Sequence, residues 1–202
     1  MKEEQKPTEI IILEAAQDVF ERTGFDGAKM QDIADKAGIN KALLHYYYRS
    51  KSRLFGVVFQ QAFSRLVRPM LEIWQNESDI FIKTERFIEQ FLDKLQAHPY
   101  MASFVLHEIT RNPEHLQQVI TQHAGEIAEI IQRDLDAVSA KHGLPPKNPV
   151  HFMCDLFGMA VYPFIARPII TSLFELDSKA FNQVIEERKK HIPKMIKVML
   201  LS

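Results

Sequence analysis

The chain has 202 residues, 46% of them hydrophobic and 25% charged, with 7 Gly, 10 Pro and no biased tract. That length and balance fit one or two globular domains and exclude the disordered and fibrous classes. The 25 Lys and Arg against 26 Asp and Glu give a formal charge of −1, which excludes a protein that coats nucleic acid or anionic membrane through bulk positive charge.

The single cysteine, Cys154, forbids an internal disulfide and fits a reducing compartment. The first nine residues are polar and charged, without the apolar run of a secretory signal, so the expected location is cytoplasmic. Ile12, Ala16, Val19 and Phe20 then recur at helical spacing, and Met30, Ile33, Ala34 and Ala37 do so again. Thr8 is the expected cap of the first helix and Gly24 its left-handed stop; Gly38 stops the second. Asn40 caps a short third helix to about Tyr47. Ser50 caps a fourth from Lys51 to about Asn76, kinked at Pro69 because proline has no N–H to donate.

Further helices are expected at 80–97, 100–111, 114–142, 150–174 and 178–200, with breaks at Pro99, Pro113 and the Gly143-Leu144-Pro145-Pro146 stretch. No alternating strand pattern competes. The fold class is all-α: a helix-turn-helix block at 1–50 and a larger helical body at 51–202. Residues 151–174 are rich in Phe, Ile and Met, but Asp155 and Arg167 leave a charge-free run of only 11 residues, 156–166. Roughly 20 are needed to cross a bilayer, so this is a buried helix and no membrane association is expected.

The informative stretch is 30–48: helix, Gly turn, cap, helix. That spacing suits a helix-turn-helix, whose first helix braces across the DNA backbone while the second lays its N-terminal residues in the major groove. A tight helical corner in a non-binding protein has the same Ala-Gly turn, and charge separates the two. From Gly27 to Arg53 six basic residues stand against two acidic ones, a local +4, whereas Thr8 to Asp26 is a local −4. The positive charge lies on the segment with the reader helix, as phosphate contact requires. Leu44 and Tyr48 share a face and pack inward, which leaves Tyr46 and Tyr47 toward DNA.

Residues Gly24-Phe25, Asp32-Ile33-Ala34, Ala37-Gly38-Ile39, Leu44, Tyr47, Ser50-Lys51 and Leu54 resemble, in order and spacing, the N-terminal signature of the TetR/AcrR family of transcriptional regulators. The resemblance covers about 11–55. It implies a three-helix DNA-binding domain, a helical ligand-binding and dimerisation domain, and repression relieved by a small molecule. Ala28 and Lys29 depart from it where Thr or Ser usually caps the second helix, Ala42 and Leu43 replace a common Gly-Thr, and His45 replaces a common Tyr. By position, phosphate contact falls to Tyr47, Lys51 and Lys29, and base-edge contact to Lys41, Ala42, Leu43, His45 and Tyr46. Asn40 holds the helix start.

One reader helix covers few base pairs, so a homodimer on double-stranded operator DNA is expected, joined through the last two helices. Trp74, Phe91, Tyr100, Met101, Phe104, His107, Phe152 and Phe157 are candidates to line a cavity for a largely apolar or aromatic effector, with His107 or Glu108 as a polar anchor. Residue by residue, aromatics at helical spacing are more often plain core. The fourth helix, which joins the two parts, is the natural lever for release. An enzyme is the competing class, but His107-Glu108-Ile109-Thr110-Arg111 has Arg where the zinc motif needs its second His, and no catalytic, metal or cofactor site is expected. A helical small-molecule-binding protein without operator binding is the other alternative.

Overall fold

The computed structural model describes residues 7–76, 79–111 and 124–202, less the side chains of 66–70, 107, 111 and 124. Its helices are α1 (Thr8–Gly27), α2 (Met30–Lys36), α3 (Lys41–Tyr47), α4 (Lys51–Asn76), α5 (Ile80–Ala97), α6 (Met101–Arg111), α7 (Ala124–His142), α8 (Pro149–Ile165), α9 (Arg167–Leu173) and α10 (Ser178–Leu201). The described residues contain no strand. The break at Pro113 and the helical stretch 114–123 lie outside the described residues, as do the side chains of Pro69 and His107.

The chain divides into two compact units, Met1–Arg65 with Ser103–Leu116 and Leu66–Ala102 with Gln117–Ser202. The first boundary falls inside α4. In the first unit, α1 and the start of α4 meet through rings: Phe20 and Phe25 approach Phe55 edge-on at 4.9 and 5.0 Å between centroids, and Phe104 of α6 closes on Phe55 and Phe59 at 5.4 and 6.0 Å. Such pairs add to the gain from removing large apolar surfaces from water.

Thr8 does not cap α1. The N-cap is Pro7, without a side-chain bond, and Thr8 already lies in the first turn. Gly24 does break the helix, with φ 68°, before a last turn to Gly27. α5 has the expected limits, and Asp79 caps it through bonds from the Phe81 and Ile82 amides.

The second unit packs α10 along α5, with α7 and α8 beside it. Its main departure from the sequence reading is that 150–174 is two helices, bent by 67° at Ala166. Two prolines in this stretch act differently. Pro168 cannot bond back to Phe164, so the helix stops and restarts with Pro168 in a first turn, where no N–H is needed. Pro163 leaves the Met159 carbonyl unpaired in the same way, yet α8 continues through it. Arg188 of α10 donates from Nη2 to that carbonyl at 2.5 Å and satisfies it. No single helix among the described residues is long and apolar enough to cross a membrane; α8 and α9 pass only as a bent pair.

Candidate nucleic-acid interface

The corner between α2 and α3 is built by backbone chemistry. Gly38 takes φ 67°, which lets its amide reach the Asp35 carbonyl at 3.1 Å and the Ile39 amide the Ala34 carbonyl at 3.0 Å. This pair of bonds satisfies carbonyls left over at the end of α2, and only glycine takes that φ at little cost. Asn40 then caps α3, its Oδ1 accepting from the Leu43 amide at 2.8 Å. Ile33, Ala34 and Leu44 are all at 0% exposure and hold the two helices together. Lys29 is the N-cap of α2 and makes no capping bond, as expected where Thr or Ser is missing.

With Leu44 inside, the rest of α3 is turned outward. Lys41, Ala42, Leu43, His45, Tyr46 and Tyr47 are all exposed, Tyr46 at 81% and Tyr47 at 37%, and the two rings meet edge-on at 5.7 Å. Tyr48 points the other way. It is buried, and its hydroxyl donates to Glu9 Oε1 at 3.2 Å, tying the end of α3 to the first turn of α1.

Burial first, and then the Glu9 charge and hydrogen bond, push the Tyr48 phenol up to about 12 from its ordinary 10.0. A raised phenol favours the neutral, folded form. Its contribution is therefore complete below pH 10 and is lost as the pH rises through 12. Tyr48→Phe is expected to remove that alkaline loss, read from urea midpoints between pH 9 and 12; an unchanged pH dependence would contradict the Tyr48–Glu9 link.

The basic charge is sorted by the fold. Lys36 pairs with Asp18 of α1, which also takes Arg22 at 3.1 Å. Lys51 turns back toward the end of α1: its ammonium donates to the Phe25 and Ala28 carbonyls at 2.8 and 3.0 Å, stands 3.5 Å from that of Asp26, and lies 4.5 Å from the Phe25 ring centroid. The sequence position of Lys51, at a helix start, gives no sign of this. Lys29, Lys41, Arg49 and Arg53 make no ion pair among the described residues and keep their charge outward. Ser50 caps α4 through the Arg53 amide at 3.2 Å.

The candidates for an effector cavity separate. Trp74 and Phe152 are buried together, 5.8 Å apart edge-on. Phe91 and Phe157 meet at 5.6 Å, and Phe87 touches both at 5.1 and 5.4 Å. Phe104 belongs to the first unit's ring cluster, Met101 and Glu108 are buried, and Tyr100 is 56% exposed. Among the described residues no three His, Cys, Asp or Glu side chains are placed to hold a metal ion.

Residues 12–58, from the α1 stripe to the ring cluster of α4, match the family described as bacterial regulatory proteins, tetR family. Residues 12–58 are a domain of that family. The chain is a DNA-binding transcriptional regulator. The chain is 25% identical over 187 residues to the HTH-type transcriptional regulator RutR of Escherichia coli strain K12, covering 90% of this chain and 86% of RutR. Its fold is that of SCO4942 of Streptomyces coelicolor, with a TM-score of 0.69, 19% identity and coverage of 96% and 98% of the two chains. The transcriptional regulator FadR of Bacillus subtilis, solved in complex with stearoyl-CoA, matches with a TM-score of 0.63 and 14% identity over 91% of this chain and 97% of FadR.

Proposed function

We propose that this TetR-family chain is a cytoplasmic homodimeric repressor, not an enzyme, released from its operator by a largely apolar small molecule. In this reading residues 1–50 contact DNA and 51–202 bind the effector and join the two copies. The carrying observation is the outward row on α3, Lys41, Ala42, Leu43, His45, Tyr46 and Tyr47, together with the exposed cations Lys29, Arg49 and Arg53, which like Lys41 make no ion pair among the described residues. Lys41, Ala42, Leu43, His45 and Tyr46 read base edges, and Tyr47 and Lys29 hold phosphate. Lys51 reaches phosphate only by releasing the α1 carbonyls, so its share there is the smallest.

A dimer is supported by α8. Val150, Cys154, Gly158 and Tyr162, four residues apart, share one uncovered face, with Val150 and Tyr162 at 64% and 62% exposure. A side chain added at Gly158 would meet nothing within 4 Å, so a partner helix has room to approach there. α10 adds Val198 at 63%. An apolar effector is supported by the aromatic content of the second unit and by the stearoyl-CoA held by FadR.

Contact type separates the assignments. Tyr47→Ala is expected to weaken operator and random DNA alike, and Lys41→Ala to weaken the operator selectively by about 1–3 kcal/mol. Titration of both duplexes with each variant reads this, and an unchanged affinity in Tyr47→Ala contradicts the phosphate assignment. The whole proposal is tested by selecting the genomic fragment that the protein binds and adding small-molecule extracts of the cells. Release supports it; a fragment that no extract releases contradicts the effector.

A further inference from the structure

Hydrogen-bond donors and acceptors are unevenly matched at one corner of the second unit. Lys83 of α5 is at 0% exposure; its ammonium donates to Asp134 Oδ2 of α7 at 2.5 Å and stands 5.6 Å from the centroid of the Trp74 ring. An ammonium carries three N–H donors, so two have no acceptor among the described residues. Trp74 is 1% exposed, packed edge-on against Phe152, and its Nε1–H also has no hydrogen-bond partner among the described residues. The second oxygen of Asp134 is taken by Arg133, 3.3 Å from Nη2. Three unmatched donors thus lie on two neighbouring side chains in one apolar corner, where leaving them unmatched is destabilising.

We infer that Trp74 and Lys83 are the polar seat of the effector, and that they hold a neutral carbonyl oxygen, as in an ester, thioester, amide or ketone, carried on an apolar body. This rests on the proposal that the helical body binds an apolar small molecule. Charge decides between a carbonyl and a carboxylate. Lys83 and Asp134 already cancel, so a carboxylate would add an uncompensated negative charge beside Asp134 in a site of low dielectric. Arg133 is 71% exposed and offsets little of it. A carbonyl accepts two hydrogen bonds and adds no charge, while Phe152 and the face of Trp74 offer the apolar surface beside it.

The test uses the full-length protein with two probes that differ only in the head group, methyl decanoate and decanoate. Trp74 is the one tryptophan of the chain, so its emission reports from the site itself. The ester is expected to change that emission saturably, and the infrared stretch of its bound carbonyl to fall below its position in an alkane solvent. Trp74→Phe keeps an aromatic ring but loses the indole N–H; followed by calorimetry, it is expected to bind the ester about threefold to tenfold more weakly. Lys83→Met with Asp134→Leu removes both charges together, so no lone ion is buried, and is expected to abolish most of the shift in the carbonyl stretch. The inference is overturned if decanoate binds as tightly as the ester, if neither probe binds saturably, or if both variants hold the ester with affinity and carbonyl stretch unchanged. Release of the operator fragment by cell extract judges the effector proposal separately, and that proposal survives all three results.

Discussion

Asp134→Ala lowers the stability of the second unit by about 3–5 kcal/mol, because it leaves the Lys83 ammonium buried and without its carboxylate. The size follows from burial: Lys83 is at 0% exposure and Asp134 at 8%, so water cannot replace the lost partner as it would at the surface. Removing both charges, in Lys83→Met with Asp134→Leu, is expected to be close to neutral, since the desolvation of two ions disappears with their attraction. Urea unfolding followed by Trp74 emission checks both variants. A single variant as stable as the double one would show that the pair is solvated.

Phe20→Ala lowers the stability of the first unit by a similar amount, about 3–5 kcal/mol. Phe20 is at 0% exposure and meets Phe55 edge-on at 4.9 Å, so truncation leaves a cavity where α1 joins α4. The reader corner packs on α1 through α2, and operator binding is expected to fall as the unit unfolds. Tyr46→Ala is the contrast. At 81% exposure Tyr46 meets the outward Tyr47 ring and carries no core packing, so its loss changes DNA binding with stability within about 0.5 kcal/mol. Circular dichroism on both variants, beside duplex titration, separates a folding defect from a contact defect.

What the sequence made legible is what depends on near neighbours. The stripe at Met30, Ile33, Ala34 and Ala37, the Gly38 turn and the Asn40 cap each act within a few residues, and the α2–α3 corner follows them bond for bond. The inward turn of Leu44 and Tyr48, and so the outward face of α3, follows from helical spacing alone. What stayed hidden depends on partners far along the chain. Pro163 and Pro168 look alike in sequence, but only Pro163 has a distant Arg188 to satisfy the carbonyl it frees, and so the helix breaks at Ala166.

Lys51 reads as a phosphate contact from its place at a helix start, whereas the carbonyls it reaches belong to residues 25–28. Nothing local marks Lys83 as buried, since its partner Asp134 is 51 residues away. Effector-cavity residues were the least legible, since buried rings at helical spacing are the same sequence signal whether they line a cavity or fill a core. The structure accordingly divides those rings between two units.

The net charge of −1 is the sum of charges that the fold separates: Lys36 is drawn to Asp18, while Lys29, Lys41, Arg49 and Arg53 stay outward. Reading DNA through that small face is the central claim, and the most direct measurement is competition binding of the purified protein to its selected genomic duplex over a range of salt. The account predicts two chains per site, displacement by unlabelled specific duplex but not by the same amount of random duplex, and an affinity that falls linearly on logarithmic axes as salt rises. Equal displacement by both duplexes, or binding indifferent to salt, would contradict it.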